Sequence, residues 1–242
     1  MTALSTTFTS LLAESLALPP TAFSRFFTTP PAAQQHKLKI IRYPDLDELR
    51  VPAGADGAER EGSSQGVGPH KDSLLTSYLL QASAHAGLQA QNWRGEWIDC
   101  PPVPGTLVVA LGQAMEAVTG GVCAATTHRV LSPGRGLGSR YSVPFFQGVS
   151  FECDFQTLEI PREVVEQKRR FVESGGGEWV DNVDFGLVKG RWNCFGEAIL
   201  WNRARSHMDV TEKWYPDLYK RIKEEQEGKK GGSDSDGEKG RW

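Results

Sequence analysis

Residues 67–81 read VGPHKDSLLTSYLLQ, and residues 140–147 read RYSVPFFQ. Each holds a short apolar run next to turn-forming residues, Leu74 to Leu80 in the first and Arg140 to Phe146 in the second, and each run reads as a strand. Between them the same pattern repeats over Gly87 to Gln91, Glu96 to Ile98, Thr106 to Leu111 and Cys123 to Val130. Asn92-Trp93-Arg94-Gly95 has the composition of a hairpin turn, and the proline-rich run from Pro101 to Gly105 interrupts the ladder. Strand after strand without long intervening helices favours an antiparallel sandwich, barrel or jelly roll over a parallel α/β sheet. One short helix is expected over Gln113 to Val118.

Outside this block the chain changes character. Leu11, Leu12 and Leu16 follow helical spacing over Ser10 to Leu18 until Pro19-Pro20 stops it. Lys37 to Tyr43 alternates basic and apolar residues and ends at Pro44, as a strand would. Asp45 to Gly68 is rich in Gly, Ala, Ser and Glu and reads as a long surface loop. Beyond Phe151 a helix is expected from Pro161 through Phe171, ended by Gly175-Gly176-Gly177. A second is expected over Asp209 to Gln226, with Pro216 able to divide it. The domain reading is a helical lead-in over 1–36, a β core over 37–150, a helical C-terminal extension packed on the core over 151–226, and a disordered tail over 227–242.

The chain has 242 residues and a formal net charge of −3, with mixed charges and no basic stripe. Phosphate backbones need clustered Lys and Arg, so a nucleic-acid partner is not expected, and neither is a membrane one. The four cysteines are widely spaced with no CxxC, which argues against a zinc knuckle and a disulfide framework and fits a cytoplasmic protein. The first 24 residues hold no Lys or Arg, so a secretory leader is not supported.

His70 and Asp72 stand at i and i+2, and in a strand such residues face the same way. His128 can complete a set of two imidazoles and one carboxylate, which holds iron(II) at neutral pH and leaves coordination positions open for a co-substrate and dioxygen. Arg140 and Ser142 repeat the i, i+2 spacing. Taken singly, each has a bland alternative: a core histidine, a turn-capping Asp, a surface Arg, a strand hydroxyl. His36, His85 and His207 are read in that bland way. Trp93 and Trp97 are read as hairpin packing.

In order along the chain, these residues together with Arg42-Tyr43-Pro44, Gly87-Leu88-Gln89, Gly95-Glu96-Trp97, Pro104-Gly105-Thr106, His128-Arg129-Val130 and Arg140-Tyr141-Ser142-Val143-Pro144-Phe145-Phe146 resemble the catalytic core of the iron(II)- and 2-oxoglutarate-dependent dioxygenases, specifically the isopenicillin N synthase-like branch. The resemblance covers roughly Lys37 to Gln147. It implies a double-stranded β-helix (jelly-roll) core flanked by helices. It further implies His70, Asp72 and His128 as catalytic iron ligands, and 2-oxoglutarate held by Arg140, Ser142 and Tyr43. The implied reaction consumes O2, oxidises a small organic substrate, by hydroxylation in the default case, and releases succinate and CO2.

A buried arginine needs an anion, and its planar fork fits a carboxylate, which agrees with that role for Arg140. Phe145, Phe146 and Gln91 are candidate pocket neighbours, and Lys71 is expected to point away from the iron. The family's longer N-terminal segment has no counterpart here, so the substrate entrance is expected to lack its usual cover. Three rivals stay open. An oxidase of the same branch would use no 2-oxoglutarate and hold a substrate carboxylate at Arg140; a non-catalytic jelly roll would bind without turnover; a zinc hydrolase would leave Arg140 and Ser142 unexplained. A monomer is expected.

Overall fold

The structure is a computed structural model and describes residues 1–27, 35–50, 65–154, 156–174 and 192–231. The body of the surface-loop reading (51–64), the glycine triplet 175–177 and the last eleven residues of the chain, 232–242, lie outside the described residues. Two compact units are present, Met1–Phe195 and Gly196 onward.

The first unit opens with α1 (Thr2–Ser15), which starts eight residues earlier than its leucine spacing suggests. Its Ser and Thr hydroxyls return hydrogen bonds to carbonyls three or four residues back, Thr9 Oγ1 to Ser5 O among them, so they do not compete with the helix. The buried face is therefore Ser5, Thr9 and Ala13, while Leu11 is exposed. Phe8 meets Tyr78 edge-on, which places α1 on one face of the larger sheet.

Among the described residues nine strands follow: β1 (Lys37–Leu38), β2 (Ile41–Tyr43), β3 (Gln65–His70), β4 (Thr76–Gln81), β5 (Leu88–Gln91), β6 (Trp97–Asp99), β7 (Val108–Leu111), β8 (His128–Leu131) and β9 (Arg140–Gln147). One sheet runs β1-β9-β4-β7 with β2 also on β9, and the other runs β3-β8-β5-β6; every pairing is antiparallel. Tyr43, Leu88 and Val130 are buried together, with Ile41, Val67, Leu79 and Val108 packed on them, so the core lies between the two sheets. This is the jelly-roll arrangement expected of the strand-dense sequence.

The single strand expected over Lys37 to Tyr43 appears as two pieces in one unbroken register along β9, Leu38 opposite Phe145 and Ile41 opposite Ser142. The gap falls at Pro144: Lys39 N donates to its carbonyl at 3.0 Å, and a proline has no N–H to return. Cys123 to Thr127 carries no strand; β8 begins only at His128. The β5–β6 hairpin closes as anticipated, with Asn92 Oδ1 accepting from the backbone N–H of Arg94 and Glu96.

Between β7 and β8 lies α2 (Gln113–Val118), and α3 (Arg162–Ser174) begins just after Pro161. The second unit holds α5 (Met208–Trp214) and α6 (Pro216–Gly231), split at Tyr215 because Pro216 cannot continue the ladder. They are preceded by α4 (Phe195–Ser206), which the sequence reading did not separate out. Thr211 Oγ1 donates to Ala204 O at 2.9 Å and ties α5 to α4. Helix α6 continues through Gly231, five residues into the stretch read as a disordered tail, since Glu224, Glu225 and Glu227 are good helix formers.

Candidate metal centre

Strands β3 and β8 carry the first cluster of polar side chains. Gln65 pairs with Leu131, Val67 with Val130 and His70 with His128, so the register slips twice in six residues. Each slip advances β3 by one residue, and together they put His70 directly across from His128. Pro69, which has no N–H to offer, sits inside the second slip. The two imidazoles end 4.3 Å apart between ring centroids.

Strand β3 stops at His70, so Asp72 reaches the site from the turn that follows and not by strand alternation, as its i, i+2 spacing had implied. Its backbone carbonyl accepts from Gln113 N, the first residue of α2, at 2.7 Å. Its Oδ2 accepts from the buried hydroxyl of Ser77. That leaves Oδ1 free to face the histidines, 3.8 Å from His70 Nε2 and 3.9 Å from His128 Nε2.

Hydrogen bonds fix which ring nitrogens face inward. His70 Nδ1 lies 2.8 Å from Gly68 O, and His128 Nδ1 lies 3.0 Å from Thr126 O. A carbonyl oxygen only accepts, so each Nδ1 carries a proton, and in the neutral tautomer this selects the lone pair sits on Nε2. One imidazole nitrogen from each histidine and one carboxylate oxygen lie within 4.8 Å of one another. Donors that each sit about 2.1 Å from one ion are at most about 4.2 Å apart, so the two Asp–His separations suit a shared cation. The surrounding protein, and then His128, hold the His70 pKa below its ordinary value, which keeps that lone pair available. His70 is the open side of the cluster, with 39% of its side chain exposed against 9% for His128.

The second cluster lies on the inner face of the larger sheet. Arg140 and Ser142 are both buried on β9 while Tyr141 between them is exposed. Ser142 stands across from Ile41 on one side and Gln81 on the other. Tyr43 stands across from Arg140 and places its ring 5.1 Å from the guanidinium carbon. Arg140 is 1% exposed and donates from Nη2 to Gln81 Oε1 at 2.9 Å, yet Nε and Nη1 have no hydrogen-bond partner among the described residues. Nη2 carries two protons, so one of the two bidentate edges of the guanidinium stays complete for a carboxylate. Burial pulls the Arg140 pKa down, and it pushes the Tyr43 phenol up against the pull of Arg140. An orphaned, buried, planar cation of this kind is what a carboxylate ligand would satisfy.

All six residues singled out from the sequence therefore fall into two inward-facing groups. Three more were not anticipated. Ser77, Gln81 and Glu116 hold Asp72, Arg140 and Lys71 respectively, and the signal for the first two was a polar residue at every second position but one (Ser77, Leu79, Gln81) on the inner face of β4. Gln81 is itself fixed by donating Nε2 to Cys100 O at 3.0 Å. Lys71 points away from the cluster, and its Nζ is buried 3.5 Å from Glu116 Oε2.

Of the candidate pocket neighbours, Phe146 is on the inner face, opposite Ser77. Phe145 is on the outer face against Tyr78 and His36, and Gln91 is turned into its own hairpin, donating to Gly95 O. Arg94 stacks on Trp93 and Arg129 on Trp97, as hairpin and sheet-surface packing. His36, His85 and His207 bond backbone groups of Gly148, Leu137 and Arg203. None of the four cysteines is in a disulfide. Among the described residues no helix is long and apolar enough to cross a membrane.

Comparison with known proteins places these clusters in a family context. The sequence model of the 2OG-Fe(II) oxygenase superfamily matches residues 36–149, the span that contains both groups. A protein of Dothideomycetidae sp. (strain 11243) named 2-oxoglutarate-dependent dioxygenase frbJ is 56% identical over 220 residues, covering 90% of this chain and 56% of its own length. A 2-oxoglutarate-dependent dioxygenase of Gibberella zeae is 36% identical over 229 residues, again 90% of this chain and 56% of that protein. The chain thus spans about half the length of the curated relatives it matches. The crystal structure of full-length Neurospora crassa T7H in complex with alpha-KG superposes with a TM-score of 0.54 at 20% identity, over 67% of this chain and 52% of that one, and so shares the fold.

Proposed function

Because the chain belongs to the 2OG-Fe(II) oxygenase superfamily, we propose that it is an iron(II)- and 2-oxoglutarate-dependent oxygenase that hydroxylates or otherwise oxidises a small organic molecule. In this reading, which follows the isopenicillin N synthase-like pattern of motifs, the protein is a cytoplasmic monomer with no nucleic-acid or membrane partner. His70, Asp72 and His128 hold the metal; Arg140, Ser142 and Tyr43 hold the distal carboxylate of 2-oxoglutarate.

The observation that carries the reading is the pairing of an inward-facing N, N, O donor set with an arginine that is buried and short of partners. Iron with 2-oxoglutarate and O2 supplies the oxidising power, as decarboxylation to succinate and CO2 drives oxidation of a C–H bond. The protein's share is positional. The Nδ1 bonds to Gly68 and Thr126 keep both Nε2 lone pairs turned inward, Ser77 holds Asp72, and Gln81 keeps the Arg140 guanidinium in one plane.

The test is an anaerobic titration with Fe(II) and then 2-oxoglutarate, followed by the weak visible charge-transfer band of the chelate, in the parent and in Arg140→Ala. A band in the parent that Arg140→Ala loses or greatly weakens supports the reading, and succinate formation in air extends it to turnover. Iron binding without a band would favour an oxidase that uses no 2-oxoglutarate. No iron binding by folded protein would overturn the metal centre itself.

A further inference from the structure

Lys71 lies between two proposed ligands, and its side chain is 1% exposed. A lysine so placed is costly unless a carboxylate meets it. The carboxylate is Glu116 of α2, 3.5 Å away through Oε2. The same oxygen accepts from the backbone N–H of Ala125 at 3.1 Å. Ala125 precedes Thr126, whose carbonyl fixes His128 Nδ1. One carboxylate oxygen therefore touches the segment that carries His70 and Asp72 and the segment that leads into His128.

The rest of α2 is seated on the first of these segments with no slack. Gln113 N donates to Asp72 O at 2.7 Å, and a Cβ added at Gly112 would meet Leu74 O at 1.9 Å and Asp72 O at 2.8 Å. The helix is fixed against the Asp72 turn by its backbone, and Glu116, one turn further along, reaches from that fixed platform to both ligand-bearing segments.

We infer that Glu116 is a positioning residue for the metal centre: through Oε2 it sets the spacing between the His70–Asp72 segment and His128, and so the affinity and coordination geometry of the bound ion. This rests on the metal-binding reading above. Lys71 is the arm through which it acts on the first segment, and the Ala125 amide the arm through which it acts on the second.

The test uses cobalt(II) alone, bound anaerobically to the whole chain, with affinity and ligand-field bands as readouts independent of turnover. Glu116→Ala is expected to weaken binding about tenfold or more and to shift the bands, as loss of a group that orients ligands typically does. Glu116→Gln keeps an acceptor for the Ala125 amide and loses the ion pair, and is expected to recover part of the affinity. Lys71→Met, which leaves no buried cation, is expected to fall between Glu116→Ala and the parent. Should Glu116→Ala prove insoluble, the other two decide, with threefold or greater weakening expected of each.

Phe23 is buried in the N-terminal segment, 2% exposed and against Phe26; Phe23→Leu, which leaves a cavity there and should lower stability, serves as the control and should keep parental affinity and bands. Soluble Glu116 and Lys71 variants that bind cobalt(II) within twofold of the parent, with unchanged bands, would overturn the inference even if their melting temperatures drop. A parent that binds no cobalt(II) would instead sink the metal reading, and this inference with it.

Discussion

Tyr43 and Arg140 are direct partners across the β2–β9 ladder, and the phenol ring lies 5.1 Å from the guanidinium carbon. The ring covers an arginine whose Nη2 donates to Gln81 while Nε and Nη1 find no hydrogen-bond partner among the described residues. A buried cation over an aromatic face is stabilised by about 1–2 kcal/mol. The sheet register thus supplies, without any loop, a cation whose one face is occupied and whose edge is open.

If the ring matters more than the hydroxyl, Tyr43→Phe should lower 2-oxoglutarate affinity no more than about threefold. Tyr43→Leu, which keeps the core filled but removes the π-face, should lower it about tenfold. Calorimetric titration of 2-oxoglutarate into the Fe(II)-loaded protein under argon separates the two. Equal losses in both variants would assign the contact to the phenolic oxygen.

Ser77 is fully buried and donates to the Asp72 oxygen that faces away from the histidines. Ser77→Ala removes that donor and leaves almost no cavity. The expected result is about a tenfold loss of iron(II) affinity with little change in thermal stability. Competition against a chromophoric chelator measures the first, and a melting curve the second. Undiminished affinity would mean that the Asp72 turn is held by Gln113 alone.

Much of the site was legible because its residues come from strands with simple alternation. Arg140 and Ser142 on β9 needed only the period of two to share a face, whereas Tyr43 came only from the family resemblance, since a Tyr before Pro44 can equally well just end a strand. His70 and Asp72 were grouped correctly for a reason that does not operate, because β3 ends at His70 and two register slips, not alternation, bring His70 to His128. Slips of that kind depend on the partner strand and leave no mark in the local sequence beyond Pro69. Glu116 was invisible for a related reason: its value lies in touching Lys71 and Ala125, which are 45 residues away in one direction and nine in the other. The early start of α1 was hidden by Ser and Thr residues that weaken helix propensity yet satisfy their hydroxyls within the helix.

Gly112 offers a sharper test of how tightly α2 is seated. Its backbone is not in the left-handed region; the constraint is space, because a Cβ would fall 1.9 Å from Leu74 O. Gly112→Ala must push α2 or the Asp72 turn aside, and overpacking of this kind costs about 1–3 kcal/mol. Urea denaturation of the parent and the variant reads the difference. A neutral Gly112→Ala would show that the β7–α2 junction yields easily.

His36 supplies a pH dependence away from the metal cluster. Its ring packs between Phe27 and Phe145 at 6.1 and 5.8 Å, and Nδ1 accepts from Gly148 N at 3.1 Å. Burial holds its pKa below the ordinary 6.5. Above that value the imidazole is neutral in both folded and unfolded chains and contributes no pH dependence. As the pH falls through 6.5 the unfolded chain takes up the proton first, so stability drops until the folded pKa is passed. His36→Asn keeps an acceptor near the position of Nδ1 and has no proton to gain. Melting temperatures between pH 7.5 and 5.5 should therefore fall less steeply in His36→Asn than in the parent. The residual slope belongs in part to His70, whose shift runs the same way. Parallel curves for the two proteins would mean that His36 protonates as readily in the folded chain as in the unfolded one.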